Sequence, residues 1–144
     1  MFPSEFKGDI VTSEHQDYEK AIARWAVNAQ RRAKIVAFVK DPQDVVIALK
    51  YAKEHQLPIA IRGGGHSSAG ASSSEGGLVI DLSRYLADAR VHADKKLVHV
   101  GGGAIWRTVE KAAMEHGLAV VAGTVSHVSH SLFIIRRLVH SDCV

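Results

Sequence analysis

Residues 59–70 read Ile59-Ala60-Ile61-Arg62-Gly63-Gly64-Gly65-His66-Ser67-Ser68-Ala69-Gly70, a short apolar run followed by three glycines and a histidine. The apolar run is typical of a buried strand, and the glycines are typical of a turn. Because glycine has no Cβ atom, bare N–H groups in such a turn approach a ligand closely and form an anion-binding nest. A diphosphate is the natural ligand of such a nest, and His66 would contact whatever the diphosphate carries. The stretch alone is equally compatible with a plain turn and a solvated histidine.

The composition is that of one ordinary globular domain. The chain has 144 residues, of which 47% are hydrophobic and 23% are charged, so we expect one modest core. A formal net charge of +3 without a long basic run argues against a nucleic-acid-binding protein. No apolar segment reaches membrane-spanning length and no secretory signal is visible, so the sequence predicts no membrane association and an intracellular compartment by default. The single cysteine, Cys143, excludes an internal disulfide.

The N-terminal segment predicts a lead-in and a helix. Residues 1–12 are interpreted as extended and poorly fixed. The capping pattern Ser13-x-x-Gln16 and the apolar spacing behind it predict a helix over 14–30. Tyr18 and Trp25 lie on the apolar face of that helix and are expected to be packing residues.

The next segment predicts a βαβ unit. A β-branched run predicts a buried strand over 35–39. Asp41 suits the N-cap of a helix, and Pro42 suits its first position, where the missing N–H costs nothing. The helix is expected to end near His55, before a second strand over 59–62. A strand, a helix and a strand at this spacing predict a right-handed crossover.

The second half of the chain mixes strands and one helix without regular alternation. In order, the sequence predicts a polar loop over 71–77, a strand over 78–82, a bend leading into a strand near Val91, a hairpin turn at Asp94-Lys95-Lys96, a return strand over 97–100, a helix opened by Gly101-Gly102-Gly103 and closed by Gly117, and a strand over 118–121. This order indicates an α+β fold rather than a doubly wound sheet.

Several common site motifs are absent. The first glycine cluster is not followed by a helix, and Trp106 stands where the second cluster would need its third glycine, so neither is a conventional dinucleotide fingerprint. The chain has no phosphate-binding G-x-x-x-x-G-K-[ST] loop, no H-E-x-x-H and no G-x-S-x-G. His127 and His130 are three apart but lack a third ligand, so no metal site is predicted.

Five motifs occur in an order that resembles one known family. They are Asp41-Pro42-x-Asp44-Val45, Pro58-Ile59-Ala60-Ile61-Arg62-Gly63-Gly64-Gly65-His66-Ser67, Leu78-Val79-Ile80-Asp81-Leu82-Ser83, Val100-Gly101-Gly102-Gly103, and His116-Gly117-Leu118-Ala119 continuing to His127. Together they resemble the PCMH-type FAD-binding domain of the para-cresol methylhydroxylase and vanillyl-alcohol oxidase superfamily, in its berberine bridge enzyme-like branch.

The resemblance implies an organisation of the chain. The fold would be α+β, with an N-terminal βαβ subdomain and a mixed or antiparallel second sheet. Residues 1–34 would be a lead-in and helix, 35–128 an FAD-binding domain that is incomplete at its C-terminus, and 129–144 an atypical tail.

The resemblance also implies the cofactor and its contacts. FAD would be bound, with its diphosphate wrapped by a first loop that comprises Arg62, Gly63, Gly64, Gly65, His66, Ser67, Ser68 and Gly70. His66 matches the histidine that bonds covalently to the flavin ring in this branch. A second flavin-contacting loop would comprise Gly123, Thr124, Val125 and His127. Some relatives carry a cysteine, and a second covalent bond, where this chain has Val125, so a single link through His66 is expected.

The implied function is that of an FAD-linked oxidoreductase, which moves a hydride from a small organic substrate to the flavin. Relatives continue into a glycine-rich segment after the second loop, whereas no glycine follows Gly123 here and the family pattern stops at Ser129. The oxygen-gating residue, the catalytic base and the substrate domain of relatives lie beyond that point. We therefore identify no catalytic residue and expect poor FAD binding and no turnover from this chain.

Two other interpretations stay open at this stage. In one, the chain is a non-catalytic nucleotide-binding or interaction fragment that uses the same glycine loops. In the other, it is a ligand-free α+β domain in which both glycine clusters are plain turns. Replacing His66 by alanine discriminates between them, because covalent flavin would be lost only if the chain is a flavoprotein. The substrate and the oligomeric state are not written in the sequence.

Overall fold

The computed structural model describes residues 2–129 and the backbone of 139–140. Within them the helices and strands are β1 (Asp9–Thr12), α1 (Tyr18–Ile22), β2 (Ile35–Phe38), α2 (Pro42–Glu54), β3 (Ile59–Arg62), β4 (Leu78–Asp81), β5 (Ala89–His92), β6 (Leu97–Val100), α3 (Trp106–Met114), β7 (Leu118–Ala119) and β8 (Val139–His140). The predicted tail over 129–144, with His130 and Cys143, lies outside the described residues apart from Ser129 and the backbone of 139–140. No helix in the described part of the chain is long and apolar enough to cross a membrane.

The main sheet has four strands in the order β1-β2-β4-β3. β4 pairs in parallel with both β2 and β3, and β1 pairs antiparallel to β2. The predicted βαβ unit is therefore present, with β4 inserted between its two strands. The interpretation of residues 59–62 as a buried strand is wrong. β3 is the last strand of the described sheet, so it has a neighbour on one side only, and the side chains of Ile59 and Ile61 are exposed.

Successive residues of the sheet point to opposite faces, and each face has its own core. One face packs against α1 and is formed by Val11, Tyr18, Ala21, Ile22, Ala33, Val36, Phe38, Ala60 and Val79. The other packs against α2 and is formed by Ile35, Val39, Ala48, Ala52, Leu78 and Ile80. All four residues of β2 and of β4 are buried, which explains why their sequences are apolar almost throughout.

β5 and β6 form an antiparallel hairpin, as predicted. A 3₁₀ turn over Ala93–Lys95 joins the strands, and Lys96 takes the left-handed backbone conformation with a φ of 50°. α3 covers the hairpin through Trp106, Val109 and Ala113. The α+β class with mixed and antiparallel sheets is thus confirmed.

α2 begins and ends where the sequence predicts. Asp41 is its N-cap, and its side chain accepts a hydrogen bond from the N–H of Asp44 at 3.0 Å. Pro42 lies at the start of the helix, and His55 follows its last residue.

The helix predicted over 14–30 is much shorter in the structure. α1 covers only Tyr18–Ile22, and Ala23 leaves the helical conformation with a ψ of 142°. The carbonyl of Ala21 accepts hydrogen bonds from the guanidinium groups of Arg24 and Arg62, and that of Ala23 accepts one from Arg24. These side-chain bonds replace the backbone bonds that a longer helix would need. The predicted capping pattern at Ser13 precedes a turn instead, and Asp17 is the N-cap.

Three other expectations are corrected. The lead-in over 1–12 is not wholly loose, because its last four residues form β1 on the edge of the sheet. Tyr18 is a packing residue as predicted, but Trp25 is 69% exposed. The last strand, expected over 118–121, is limited to Leu118–Ala119, which pairs with β8.

Candidate functional site

The first glycine turn leaves the end of β3 and packs against the second predicted loop. Gly65 has a φ of +72°, a conformation that residues with a Cβ atom rarely adopt. A Cβ atom on Gly64 would lie 3.0 Å from the carbonyl oxygen of His127, and one on Gly63 would lie 3.0 Å from the Cβ of Ser129. Gly63 and Gly64 are therefore small because the second loop passes close to them.

The backbone of this turn leaves a run of donors unused. Among the described residues, no acceptor receives a hydrogen bond from the backbone N–H groups of Gly63–Ala69. The run ends at Gly70, which has a φ of +83° and whose N–H donates to the carbonyl of Ser67 at 3.3 Å. The hydroxyl of Ser67 accepts from the N–H of Ala71 at 3.1 Å. The turn thus holds its shape through Ser67 while its own N–H groups stay available to an anion.

A cavity of about 440 Å³ lies beside the turn, a size typical of ligand sites. Its walls come from the end of β3, the first loop and the second loop, namely Ile61, Gly63, Gly65, His66, Ser67, Ala71, Ser72, Val128 and Ser129. The hydroxyl of Ser72 is buried without a hydrogen-bond partner among the described residues. A buried hydroxyl in that state is costly unless a ligand or water satisfies it.

His66 lies between two other rings. The indole of Trp25 stacks on its imidazole, with ring centroids 5.2 Å apart and planes 17° from parallel. The backbone N–H of Trp25 also donates to the carbonyl of Gly65 at 3.3 Å. On the other side, the imidazole of His127 lies 6.4 Å from that of His66. The turn and the Trp25 segment therefore fix the orientation of the His66 ring from both backbone and side chain.

A buried charged cluster lies under the turn. Arg62 donates to Asp81 at 2.8 Å, and the Asp81 carboxylate is fully buried, also accepting from the N–H and hydroxyl of Ser83. Arg24 is 8% exposed and donates to the carbonyl of Ser72 through two nitrogens. Burial, followed by the positive charge of Arg62, lowers the pKa of Arg24 to about 10, so its guanidinium stays charged at neutral pH.

The second predicted loop meets the first only at its C-terminal end. His127 lies near His66, and its ring is 2.5 Å from the guanidinium of Arg107. A Cβ atom on Gly123 would lie 2.9 Å from the Nε1 of Trp106, so Gly123 passes beside α3 rather than the turn. Thr124 and Val125 are exposed. The structure thus places His127 near His66, whereas Gly123, Thr124 and Val125 do not line the cavity.

The second glycine cluster has a packing role. A Cβ atom on Gly101 would lie 2.2 Å from the carbonyl oxygen of Leu86, and one on Gly103 would lie 2.1 Å from that of Leu82. Both glycines allow two backbone segments to touch before α3 begins. In the described residues, no group of three or more His, Cys, Asp or Glu side chains could hold a metal ion.

Three residues of the site were missed by the sequence analysis. Trp25 was expected in the core, Arg24 was not singled out, and Ser72 was assigned to a flexible loop. Each joins the site through a partner about 40 or more positions away, namely Trp25 with His66 and Arg24 with Ser72. No local pattern signals such pairs, because Arg24 falls on the polar side of the predicted helix, where a charged residue is expected.

Comparisons with known proteins agree with this arrangement. A family model described as an FAD binding domain matches residues 33–131. The FAD-linked oxidoreductase YgaK of Bacillus subtilis is 37% identical over 128 residues, which are 89% of this chain and 28% of that protein. The crystal structure of 6-hydroxy-D-nicotine oxidase from Arthrobacter nicotinovorans superposes with a TM-score of 0.84 at 27% identity, covering 88% of this chain and 28% of that one.

A third comparison extends the fold assignment. BBE-like 1 from Physcomitrella patens superposes with a TM-score of 0.77 at 21% identity, covering 85% of this chain and 27% of that one. The present chain thus spans about a quarter of the length of the relatives that it matches. The family match covers most of the described residues and includes both loops of the site. The chain therefore belongs to the FAD-binding oxidoreductase family whose FAD binding domain matches residues 33–131.

Proposed function

We propose that the first glycine turn of this chain binds the diphosphate of FAD. The observation that carries the proposal is the run of unused N–H groups over Gly63–Ala69 beside a cavity of about 440 Å³. Such groups place partial positive charges toward an anion without the bulk of side chains. Ser72, whose hydroxyl is buried without a hydrogen-bond partner among the described residues, also forms part of the cavity wall. A run of unused donors beside a cavity supports an anion such as a diphosphate as the ligand.

His66 is proposed as the site of a covalent bond to the flavin ring. A ring nitrogen would bond to the 8α-methyl carbon in place of a hydrogen, and the flavin itself would take up the two electrons and the protons that are released. Oxygen would then reoxidise the reduced flavin and form hydrogen peroxide. The His66 side chain lines the cavity, and no described residue forms a hydrogen bond with either ring nitrogen. In a neutral imidazole one nitrogen carries the proton, and the other has a free lone pair and is a nucleophile. The stack with Trp25 restricts the ring to one plane. Val125 has no thiol, so the proposal includes one covalent bond and not two.

The second loop is proposed to contact the flavin from the opposite side. His127 lies nearest to His66 and is held by Arg107. Gly123, Thr124 and Val125 are exposed and would form the outer part of the same contact. Arg62 contributes through its backbone, because its guanidinium is directed to Asp81 beneath the turn.

The function we propose is cofactor binding within an FAD-linked oxidoreductase of small organic molecules. Bound FAD supplies the redox chemistry by accepting a hydride from a substrate carbon. The described residues bind the diphosphate, orient the flavin and exclude water from one side of it. None of the described residues is proposed as a catalytic base. We therefore expect catalytic turnover only from a protein that also contains a substrate site.

The test is the retention of flavin after denaturation. The purified chain is incubated with FAD, precipitated with acid, and run on a denaturing gel that is inspected for flavin fluorescence. The sequence alone predicts poor FAD binding, but both loops that form the cavity lie within the described residues. We therefore expect a fluorescent band for the natural sequence and none for His66→Ala. The matched control is His99→Ala, since His99 is an exposed histidine of β6 away from the cavity, and it should retain the band.

A second measurement separates FAD binding from covalent attachment. Titration of FAD into the His66→Ala variant should still show saturable binding, because the turn is intact. If the variant keeps a covalent band, His66 is not the attachment site. If neither protein binds FAD, the chain is not an FAD-binding unit and the interpretation as a ligand-free domain stands.

A further inference from the structure

Arg24 is an unusual residue for a buried position. Its guanidinium is almost fully covered, yet each of its hydrogen bonds goes to a neutral carbonyl oxygen, from Ala21, Ala23 and Ser72. No carboxylate of the described residues forms an ion pair with it. Buried charges are normally paired, since removing an ion from water is costly.

The neighbouring charges do not compensate for it. Arg62 and Asp81 form an ion pair with each other, so the cluster of three carries one net positive charge. The Nε of Arg62 is itself buried without a hydrogen-bond partner among the described residues. Of the charged groups nearby, Arg62 opposes the charge of Arg24 and Asp81 favours it. The surplus positive charge therefore lies in the buried interior of the site and not on its exposed surface.

This cluster lies directly beneath the first glycine turn. A Cβ atom on Gly65 would be 3.1 Å from the Nε of Arg62 and 3.3 Å from the Cδ of Arg24. Arg24 also holds the carbonyl of Ser72 with two nitrogens, at 3.1 and 2.7 Å. Ser72 forms part of the cavity wall. One side chain thus contacts both the turn and Ser72 of the cavity wall, and it brings an uncompensated charge close to both.

We propose that Arg24 is a positioning residue for the anion bound at this turn. Its buried charge attracts the diphosphate through the thin backbone layer of Gly65, and its hydrogen bonds to the carbonyl of Ser72 hold the guanidinium in place. The inference rests on the proposed function, and it adds the residue that provides the countercharge. An anion at the turn would neutralise the cluster, which explains why a positive charge is kept in a site that has no carboxylate to spare for it.

The competing explanation is that Arg24 only ties loops together. Its hydrogen bonds alone would account for that role, and charge would then be irrelevant. Two variants distinguish the explanations. Arg24→Gln keeps a hydrogen-bond donor and removes the charge, whereas Arg24→Lys keeps the charge and removes the planar fork.

The experiment measures the affinity of the chain for inorganic pyrophosphate and for FAD by titration calorimetry. We expect Arg24→Gln to weaken pyrophosphate binding by about tenfold, or about 1.4 kcal/mol. Arg24→Lys should stay within about threefold of the natural sequence, since the charge interaction is retained. The matched control is Arg90→Gln, which removes a charge from an exposed arginine of β5 and should leave the affinity unchanged. If circular dichroism shows that Arg24→Gln is unfolded, Arg24→Met replaces it in the same comparison.

The outcomes are distinct. Equal pyrophosphate affinity in Arg24→Gln and the natural sequence overturns the inference. An equal loss of affinity in Arg24→Gln and Arg24→Lys also overturns it, because the planar fork and not the charge would then be responsible. FAD binding that is insensitive to Arg24 would leave the proposed function standing without this inference. Pyrophosphate binding that depends on Arg24, without FAD binding, would uphold the inference and contradict the proposed function. Absence of pyrophosphate binding overturns the inference.

Discussion

The indole ring of Trp25 stacks on the imidazole ring of His66, although the two residues are separated by 41 positions in the chain. Trp25 is largely exposed, so burial of its own surface does not explain its position. Its contact with His66 is reinforced by the hydrogen bond from its backbone N–H to Gly65. The arrangement indicates that Trp25 orients the ring of His66.

Replacing Trp25 by alanine should therefore reduce covalent flavin attachment more than FAD binding. Stacked aromatic pairs are worth about 0.5–1.5 kcal/mol, which corresponds to a decrease of about two- to twelvefold in the attachment rate. The rate is followed by flavin fluorescence on denaturing gels, and FAD affinity by titration. Trp25→Phe should recover most of the rate. Val27→Ala, an exposed apolar residue of the same segment, is the control; an unchanged rate in Trp25→Ala would contradict the orienting role.

Asp81→Asn should strongly destabilise the fold. The carboxylate of Asp81 is fully buried and pairs with Arg62, and removing one partner of a buried ion pair costs about 3–5 kcal/mol. That loss is a large part of the stability of a small domain. Urea unfolding measures it. Asp88→Asn breaks an exposed ion pair with Arg90 and should cost less than about 1 kcal/mol. Similar losses in the two variants would show that the buried pair has no special weight.

Gly65→Ala and Gly76→Ala form a matched pair of substitutions. Both glycines have positive φ angles, +72° and +61°, so each substitution should cost about 1–2 kcal/mol of stability. A Cβ atom on Gly65 would also meet Arg62 and Arg24, whereas one on Gly76 would have nothing within 4 Å. Only Gly65→Ala should therefore weaken FAD binding, as measured by titration. An equal loss of affinity in both variants would assign the effect to general destabilisation.

The lowered pKa of Asp9 predicts how the stability of the fold changes at acid pH. Hydrogen bonds from the hydroxyl of Tyr85 and from Arg84 lower the pKa of Asp9 below its ordinary value of 3.8. Because the pKa is lower in the folded state, the carboxylate stabilises the fold above about pH 4, and this contribution is lost as the pH falls through the folded pKa. Asp9→Asn should thus lower stability near neutral pH, and the difference from the natural sequence should shrink below pH 4.

The measurement is urea unfolding from about pH 7 to pH 2.5, over which the Asp9 contribution titrates. Asp94→Asn, at an exposed carboxyl in the turn between β5 and β6, is the control. A stability difference between the natural sequence and Asp9→Asn that stays constant with pH would contradict the prediction.

Local sequence signals predicted much of the main sheet. Asp41 and Pro42 start α2 because a carboxylate cap and a missing N–H are both effects within one turn. The strand over 59–62 and the glycine turn after it were predictable because the apolar run and the loss of Cβ atoms act on adjacent residues. His66 could be proposed as a site residue for the same reason.

Contacts between distant residues decided what the sequence could not show. The periodicity over 14–30 is genuinely helical, but guanidinium groups from Arg24 and Arg62 capture the carbonyl of Ala21 and end α1 early. The same nonlocal contacts bring Arg24 and Trp25 to the site. Local propensities do not describe contacts with a partner 40 residues away, so these two residues can be recognised as site residues only in the folded chain.

Because β4 lies between β2 and β3, the nascent chain cannot complete this sheet when β3 leaves the ribosome. β2 and β3 each hydrogen-bond to β4 and not to each other. Joining strands that are far apart in sequence costs loop-closure entropy before their contacts form. Until β4 has been synthesised, β3 has no neighbouring strand and Arg62 has no Asp81. The glycine turn therefore takes its shape only after β4 has been synthesised, and the cofactor binding proposed for the turn would follow the emergence of β4.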